Sequence, residues 1–214
     1  MNVDEEQLVR SRQGLHGVAE YVLAGPQYVV SGDIRLRVVP GGFATRTAPD
    51  LRVEGVELVT PSGRLALAST FAGLAAAAGV EARPLRDVYP VGPELHPDDA
   101  VEVDPDAATT ILDAFIRGDA AMRELSPGSD PVLWPEHFDV GIAADDVNYG
   151  VSPGDVHFAH PYAYVGPWQP RVGDFWNADF GAARPMTQLP DVAGLVDFFR
   201  EGAEHARSDP PRRP

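Results

Sequence analysis

A histidine and an aspartate two positions apart are the polar pair whose spacing best suits chemistry in this sequence. His137 and Asp139 stand at i and i+2, so on a β-strand their side chains project from the same face. An imidazole beside a carboxylate can transfer protons as a general acid–base pair or can hold a polar ligand in place. We therefore take His137 and Asp139 as candidate catalytic or ligand-orienting residues, and the sequence leaves both roles open.

Two further histidines extend this pair into an alternative metal site. His157 and His160 flank Phe158-Ala159 and follow a Ser-Pro-Gly turn. Three nitrogen or oxygen ligands with one open position suit catalytic zinc or another divalent ion. The pattern is weak, because there is no HExxH motif and His-x-x-His on an extended chain points its two rings to opposite sides. A metal-dependent hydrolase or lyase is therefore the alternative hypothesis, with the ligands His137, Asp139, His157 and His160.

Aromatic residues are concentrated in the same part of the chain. Ten of the eighteen aromatic residues, including all three tryptophans, lie between Trp134 and Phe180. Small-molecule pockets combine aromatic walls with a few polar groups, although aromatic residues also dominate protein cores. The leading hypothesis is a small-molecule pocket whose walls are Trp134, Phe138, Tyr149, Tyr162, Tyr164 and Trp168. A third hypothesis is a homo-oligomeric interaction protein that buries the same rings against a second copy.

Three motifs in this region resemble those of a bacterial, actinobacterial-type domain family of unknown function. The similarity covers about residues 130–176 and has the forms LWPxHFD, YGxSPGD and PYxYV. The resemblance implies a shared fold, and it supplies no reaction because the family has no assigned activity. The motifs are Leu133-Trp134-Pro135-Glu136-His137-Phe138-Asp139, Tyr149-Gly150-Val151-Ser152-Pro153-Gly154-Asp155 and Pro161-Tyr162-Ala163-Tyr164-Val165.

The elements that must position these residues are predicted to be strands of one sheet. Residues 33–67 read as a β-meander, because Ile34, Leu36 and Val38 alternate with arginines as in a half-buried strand. Residues 133–168 form a second strand-like region. Because few residues separate the elements, we predict an α+β fold with one mainly antiparallel sheet and helices packed on one face.

Helices are predicted on either side of the strand regions. Apolar spacing predicts helices over 4–23, 71–78 and 190–205, with another from Asp104-Pro105 to Ser126. Gly25-Pro26 is expected to end the first helix, and Ser69 to cap the second. We predict one α+β domain over residues 1–207 with a possible subdivision near 90–104, followed by a disordered tail, 208–214.

Composition excludes several classes of protein. The chain of 214 residues has 32 acidic and 17 basic residues and a net charge of −15, which disfavours nucleic acid and anionic membranes as partners. All basic residues are arginine, so neither Schiff-base lysine chemistry nor a phosphate-loop lysine is available. There is no GxGxxG fingerprint, so we expect no nucleotide cofactor and at most a divalent metal.

The cysteine content and the start of the chain bear on location. The chain has no cysteine, which excludes disulfides, thiolate metal sites and cysteine nucleophiles. No cationic segment followed by an apolar run comes after Met1, so we expect no signal peptide. A cytoplasmic location is the expectation that follows.

Overall fold

In the computed structural model, ten strands within the described residues, 3–90, 92, 94–156 and 158–212, form a single antiparallel sheet. The strand order is β10-β9-β8-β7-β6-β1-β2-β3-β4-β5. The two predicted strand regions meet where Leu36 pairs with Leu133, so the α+β class and the continuous sheet are confirmed. The strands are β1 (Leu36–Val39), β2 (Gly42–Thr45), β3 (Arg52–Glu54), β4 (Glu57–Thr60), β5 (Gly63–Ala66), β6 (Val132–Trp134), β7 (Asp139–Ala144), β8 (Val147–Ser152), β9 (Tyr162–Pro167) and β10 (Ala182–Pro185).

The helices cover one face of this sheet and leave the other face open. Alternate strand residues such as Phe43, Val53, Leu133 and Val140 are buried under the helices, which is the burial that the period-two pattern predicts. No helix in the described part of the chain combines the length and the hydropathy needed to span a bilayer. The helices are α1 (Glu5–Gly17), a π-helical segment (Val18–Ala24), α2 (Gly25–Ser31), α3 (Phe71–Ala77), α4 (Pro105–Leu125), a 3₁₀ turn (Met186–Gln188) and α5 (Val192–Ser208).

The first helix continues through the proline that the sequence analysis took as its end. Pro26 has no N–H, so the Tyr21 carbonyl five residues earlier receives no hydrogen bond from it along the π-helical turn. The Arg83 N–H donates to that carbonyl instead, at 3.0 Å. Because a distant segment supplies the missing donor, the helix continues from the π-helical segment into α2, and the predicted end at Gly25-Pro26 is wrong.

The other helix starts follow local capping rules. Asp104 caps α4, since its Oδ1 accepts the N–H groups of Asp106 and Ala107, each at 3.0 Å, and Pro105 occupies the first turn. Helix α3 is capped by Thr70, whose hydroxyl accepts the Gly73 N–H at 3.0 Å, and not by Ser69 as predicted.

The described parts of the acidic connection and of the predicted tail are attached to the rest of the fold, while residues 91, 93, 213 and 214 lie outside the described residues. In the segment 90–104, the Pro97 carbonyl accepts the N–H of Ala72, in the first turn of α3, at 2.8 Å. At the C-terminus, where we expected a disordered tail, Val172 N–H donates to the Pro210 carbonyl at 3.0 Å and Arg212 N–H donates to the Pro170 carbonyl at 2.7 Å. Residues 209–212 are therefore held against the loop after β9 by backbone hydrogen bonds.

Candidate functional site

A groove crosses the open face of strands β6–β9, opposite α4 and α5. It consists of two adjoining hollows of about 530 and 510 Å³ that share His137, Asp139, Asn148 and Tyr164 in their linings. Trp134 borders the first hollow, and Trp168 borders the second. We call this site the open-face groove, and its main lining residues are Trp134, Glu136, His137, Asp139, Asn148, Ser152, Asp155, Tyr162, Tyr164, Trp168 and Phe180.

The floor of the groove is a tyrosine that lies over two glycines. Gly141, Gly150 and Tyr164 face one another across β7, β8 and β9. A Cβ atom on Gly150 would come within 2.5 Å of Tyr164 Cζ, and one on Gly141 within 3.2 Å of the phenol oxygen. Because both strands lack side chains here, the phenol reaches across them and donates a hydrogen bond to the Asp139 carboxylate.

The Asp139–Tyr164 pair has unusual electrostatics for a sheet surface. Burial raises the pKa of Asp139, and the hydrogen bond from Tyr164 and the nearby imidazole of His137 only partly oppose that change. Burial and the neighbouring carboxylate raise the pKa of Tyr164 well above its usual value. The phenol of Tyr164 therefore stays protonated and donates a hydrogen bond. Asp139 is a carboxyl group with a greater proton affinity than an exposed aspartate.

A second carboxylate–phenol pair lies in the same groove. Tyr162 donates to Asp155 Oδ2 at 2.7 Å, and Asp155 Oδ1 accepts the Phe158 N–H at 2.9 Å. Asp155 therefore has the local turn bond expected of a Ser-Pro-Gly-Asp sequence and also binds a groove-lining phenol. Arg12 of α1 donates to the Ala159 carbonyl at 3.3 Å. Burial lowers the pKa of Arg12, and the charge of Asp155 opposes only part of that change.

A histidine of α1 supports the turn that carries His137. His16 Nε2 lies 2.7 Å from the Pro135 carbonyl oxygen, and since a carbonyl only accepts, Nε2 carries the proton. The ring also stacks on Phe138, with centroids 5.3 Å apart. Burial lowers the pKa of His16 to about 4, so this hydrogen bond is made by a neutral imidazole. His16 lies 119 positions before Pro135 in the chain, so no local sequence pattern could have predicted this contact.

The structure brings together part of the predicted site. His137 and Asp139 line both hollows, although His137 stands in the turn before β7 and its side chain is 61% exposed. Four of the six predicted wall residues line the groove, namely Trp134, Tyr162, Tyr164 and Trp168. Residues that we did not predict as walls, Asn148, Ser152 and Phe180, also line it, and the open-face alternation of β8 accounts for the first two.

Phe138 and Tyr149 do not line the groove, which corrects two predicted wall residues. Phe138 is fully buried and packs edge-on against Phe43 and Phe115. Its φ of 52° belongs to a turn, where strand alternation does not apply, and the ring turns into the core. Tyr149 faces the helices and packs against Phe199 of α5, because its neighbours on β8 occupy the open face.

The metal alternative receives no support from the described residues. Within them, no three histidine, aspartate or glutamate side chains are grouped so that they could hold a metal ion. His160 is exposed and stands outside the lining of the groove that contains His137 and Asp139. His157, the remaining predicted ligand, lies outside the described residues.

Comparisons with known proteins do not add to this geometry. No family model and no curated protein matches the chain, and no solved structure matches its fold. The resemblance of the three motifs to a bacterial domain family stays a prediction. The open-face groove must therefore be interpreted from its own residues.

Proposed function

We propose that this protein binds a small molecule in the open-face groove. The observation that carries the proposal is the Asp139–Tyr164 pair, which lies on the floor of a hollow bordered by exposed aromatic rings. Trp168 is 64% exposed and Phe180 is 42% exposed. Large apolar groups beside a partly buried carboxyl group are typical of binding sites.

The residues of the floor favour a site over an ordinary sheet surface. Glycine inside a strand weakens the sheet, because it has no side chain to pack and loses more backbone freedom on folding. Desolvation of the Asp139 carboxyl group is also unfavourable to folding. Two such features at the same place, Gly141 with Gly150 and Asp139 under Tyr164, are expected where a ligand rather than stability has selected the residues.

Within this proposal the polar residues have separate roles. Asp139 accepts a hydrogen bond or a proton from the ligand, since burial raises its pKa towards the range of a general base. His137 is exposed at the rim and would contact the ligand from the solvent side. They remain the candidate acid–base pair if the ligand reacts, while binding itself requires only their hydrogen bonds.

Location and partners belong to the same proposal. We expect a cytoplasmic protein, since the reducing cytosol is the default compartment for a chain without cysteine. We expect no nucleic-acid partner, since the net charge of −15 repels phosphate backbones. Self-association through the exposed Trp168 is the alternative use of this surface, and it would cover the groove instead of leaving it open to a ligand.

A thermal-shift screen with metabolites tests the proposal. A genuine ligand raises the melting temperature of the wild-type protein, and Trp168→Ala and Asp139→Ala should remove that increase. Trp176→Phe is the control, because Trp176 is aromatic and lies outside the open-face groove. Hits that stabilise the two groove variants as much as the wild type would contradict binding at this site.

A further inference from the structure

We propose that the ligand of the open-face groove is an organic cation, either an amine or a quaternary ammonium compound. This inference rests on the proposed function and adds the charge and chemical class of the ligand. It is carried by three features of the groove, which are the sign of its charged groups, the absence of arginine from its described lining, and the arrangement of its aromatic rings.

The charged groups of the groove have one sign. The described lining of the two hollows contains four carboxylates and no arginine, and the chain has no lysine. Asp130 is balanced by ion pairs with Arg46 and Arg123. Within the described residues, Asp139 and Glu136 make no ion pair with an arginine, and the ring of His137 lies 3.9 Å from the Glu136 carboxylate. The charge of Asp155 interacts with Arg12. The carboxyl groups that no arginine of the described residues balances are therefore those of Glu136 and Asp139.

Aromatic rings border the same hollow. The rings of Tyr162, Tyr164 and Phe180 lie with centroids 6.2 to 6.5 Å apart and form one wall. The exposed Trp168 also borders this hollow. A cation within about 6 Å of an aromatic centroid is attracted by the negative face of the ring, and the attraction increases when the contact excludes water. Rings and carboxylates thus favour the same kind of ligand.

Electrostatic attraction favours a cation in this groove over an anion or a neutral ligand. At about 5 Å and an effective dielectric constant of about 20, one unit charge beside a carboxylate changes an affinity by on the order of 100-fold. A cation gains this factor at Asp139, whereas an anion loses it. A neutral sugar can stack on Trp134 or Trp168 and can donate hydroxyl hydrogen bonds to the carboxylates, but it lacks the charge–charge attraction that a cation gains.

The test compares choline with its neutral carbon isostere, in which a tert-butyl group replaces the trimethylammonium group. Spermidine, glucose and benzoate serve as a second cation, a neutral polyol and an anion, and sodium chloride matches the ionic strength. The readout is tryptophan fluorescence in a Trp176→Phe background, where the remaining tryptophans, Trp134 and Trp168, both line the groove. Melting temperature is the second readout.

We expect choline or spermidine to bind at least 10-fold more tightly than the isostere, glucose or benzoate, as one charge contact implies. Asp139→Asn should weaken the binding of the cations by about 10-fold or more and leave the affinity for the isostere unchanged. The matched control is Asp197→Asn, which removes the same charge from a side chain of α5 that is 80% exposed. It should change no affinity, since α5 covers the opposite face of the sheet.

Two results would overturn the inference, and they differ in what they imply for the proposed function. If the isostere, glucose or benzoate binds as tightly as the cations and Asp139→Asn has no effect, the groove binds ligands but does not select cations. If neither cation changes the fluorescence or the melting temperature, the cation class is wrong. The metabolite screen with Trp168→Ala then decides separately whether the groove binds anything else.

Discussion

The open face of the sheet differs in chemistry between its two halves. On β3–β5 it carries charged side chains that pair with one another, Arg52 with Glu54 at 2.6 Å and Arg64 with Glu54 and Glu57 at 2.5 and 2.8 Å. We call these four residues the charge ladder. On β6–β9 the same face carries rings and carboxyl groups with no arginine in the described lining. The ladder neutralises itself in water, whereas in the groove the carboxyl groups of Asp139 and Asp155 accept hydrogen bonds from the phenols of Tyr164 and Tyr162.

The two halves of the open face show what distinguishes a site from ordinary sheet surface. Long side chains fill the ladder, and their pairing relieves the repulsion that one sign of charge would create. In the groove, two glycines make room for Tyr164, and burial raises the pKa of Asp139. In the ladder the reverse holds, because hydrogen bonds from Arg52 and Arg64 lower the pKa of Glu54. Mutations should therefore affect stability far more in the groove than in the ladder.

The largest effect is expected at His16, which supports the groove from below. Its pKa is about 4 in the folded protein and near 6.5 when exposed. The unfolded chain therefore takes up a proton as the pH falls from about 6.5 to 4 while the folded chain does not, and stability decreases over that window by up to about 3 kcal/mol. Urea unfolding at pH 7 and pH 5 should show about 2 kcal/mol of this decrease in the free energy of unfolding.

The variant His16→Gln isolates the contribution of this histidine. Asp139 and Glu20 have raised pKa values and change stability in the opposite direction over acidic pH. The pH dependence of wild-type stability therefore combines their contributions with that of His16. The difference between wild type and His16→Gln should therefore depend on pH over this window. An unchanged difference between pH 7 and pH 5 would show that His16 is not held as a neutral group.

Gly150→Ala should disrupt the floor of the groove. The new Cβ would lie 2.5 Å from Tyr164 Cζ and 2.6 Å from the Val140 carbonyl oxygen, and backbone cannot move aside easily. Overpacking of this kind destabilises a fold by about 2 kcal/mol, which urea unfolding measures. The control is Gly194→Ala, whose nearest neighbour would be at 3.4 Å, and it should leave stability unchanged or slightly higher. Equal effects of the two variants would mean that Tyr164 is not confined by the glycines.

Tyr164→Phe removes only the hydroxyl that binds Asp139. We expect a loss of about 1 to 2 kcal/mol at neutral pH, because the carboxyl group loses its donor and stays partly buried. The hydrogen bond lowers the pKa of Asp139, so its removal should raise that pKa further, and NMR titration of the Asp139 carboxyl carbon measures it. Tyr28→Phe is the control, since no hydrogen bond joins its hydroxyl to another described residue. An unchanged Asp139 titration would refute the pairing.

The smallest effect is expected in the charge ladder. Arg64→Gln breaks ion pairs with Glu54 and Glu57, yet all these side chains are partly or largely exposed. Exposed ion pairs contribute little, so the free energy of unfolding should change by about 0.5 kcal/mol or less, and salt should reduce the change further. A loss as large as that of Gly150→Ala would remove the distinction between ladder and groove.

Local sequence patterns predict most of the helices and strands, although they predict neither β10 nor the continuation of the first helix into α2. The alternation of apolar and polar residues predicted the strands of both halves, and Asp104-Pro105 predicted the start of α4, because period and capping are local properties. Aromatic density and the close spacing of His137 and Asp139 pointed to strands β6–β9, whose open face carries the groove, since these strands follow one another along the chain.

Only the tertiary structure decided which of these residues meet. Asp139 and Tyr164 are 25 positions apart, and His16 and Pro135 are 119 apart, so their contacts depend on strand register and on the placement of α1. A turn, and not a strand, sets the direction of Phe138, which is why it enters the core. A shift of one residue in register would exchange the two faces of a strand, so packing of the apolar face against α4 and α5 selects the side chains that remain for the groove.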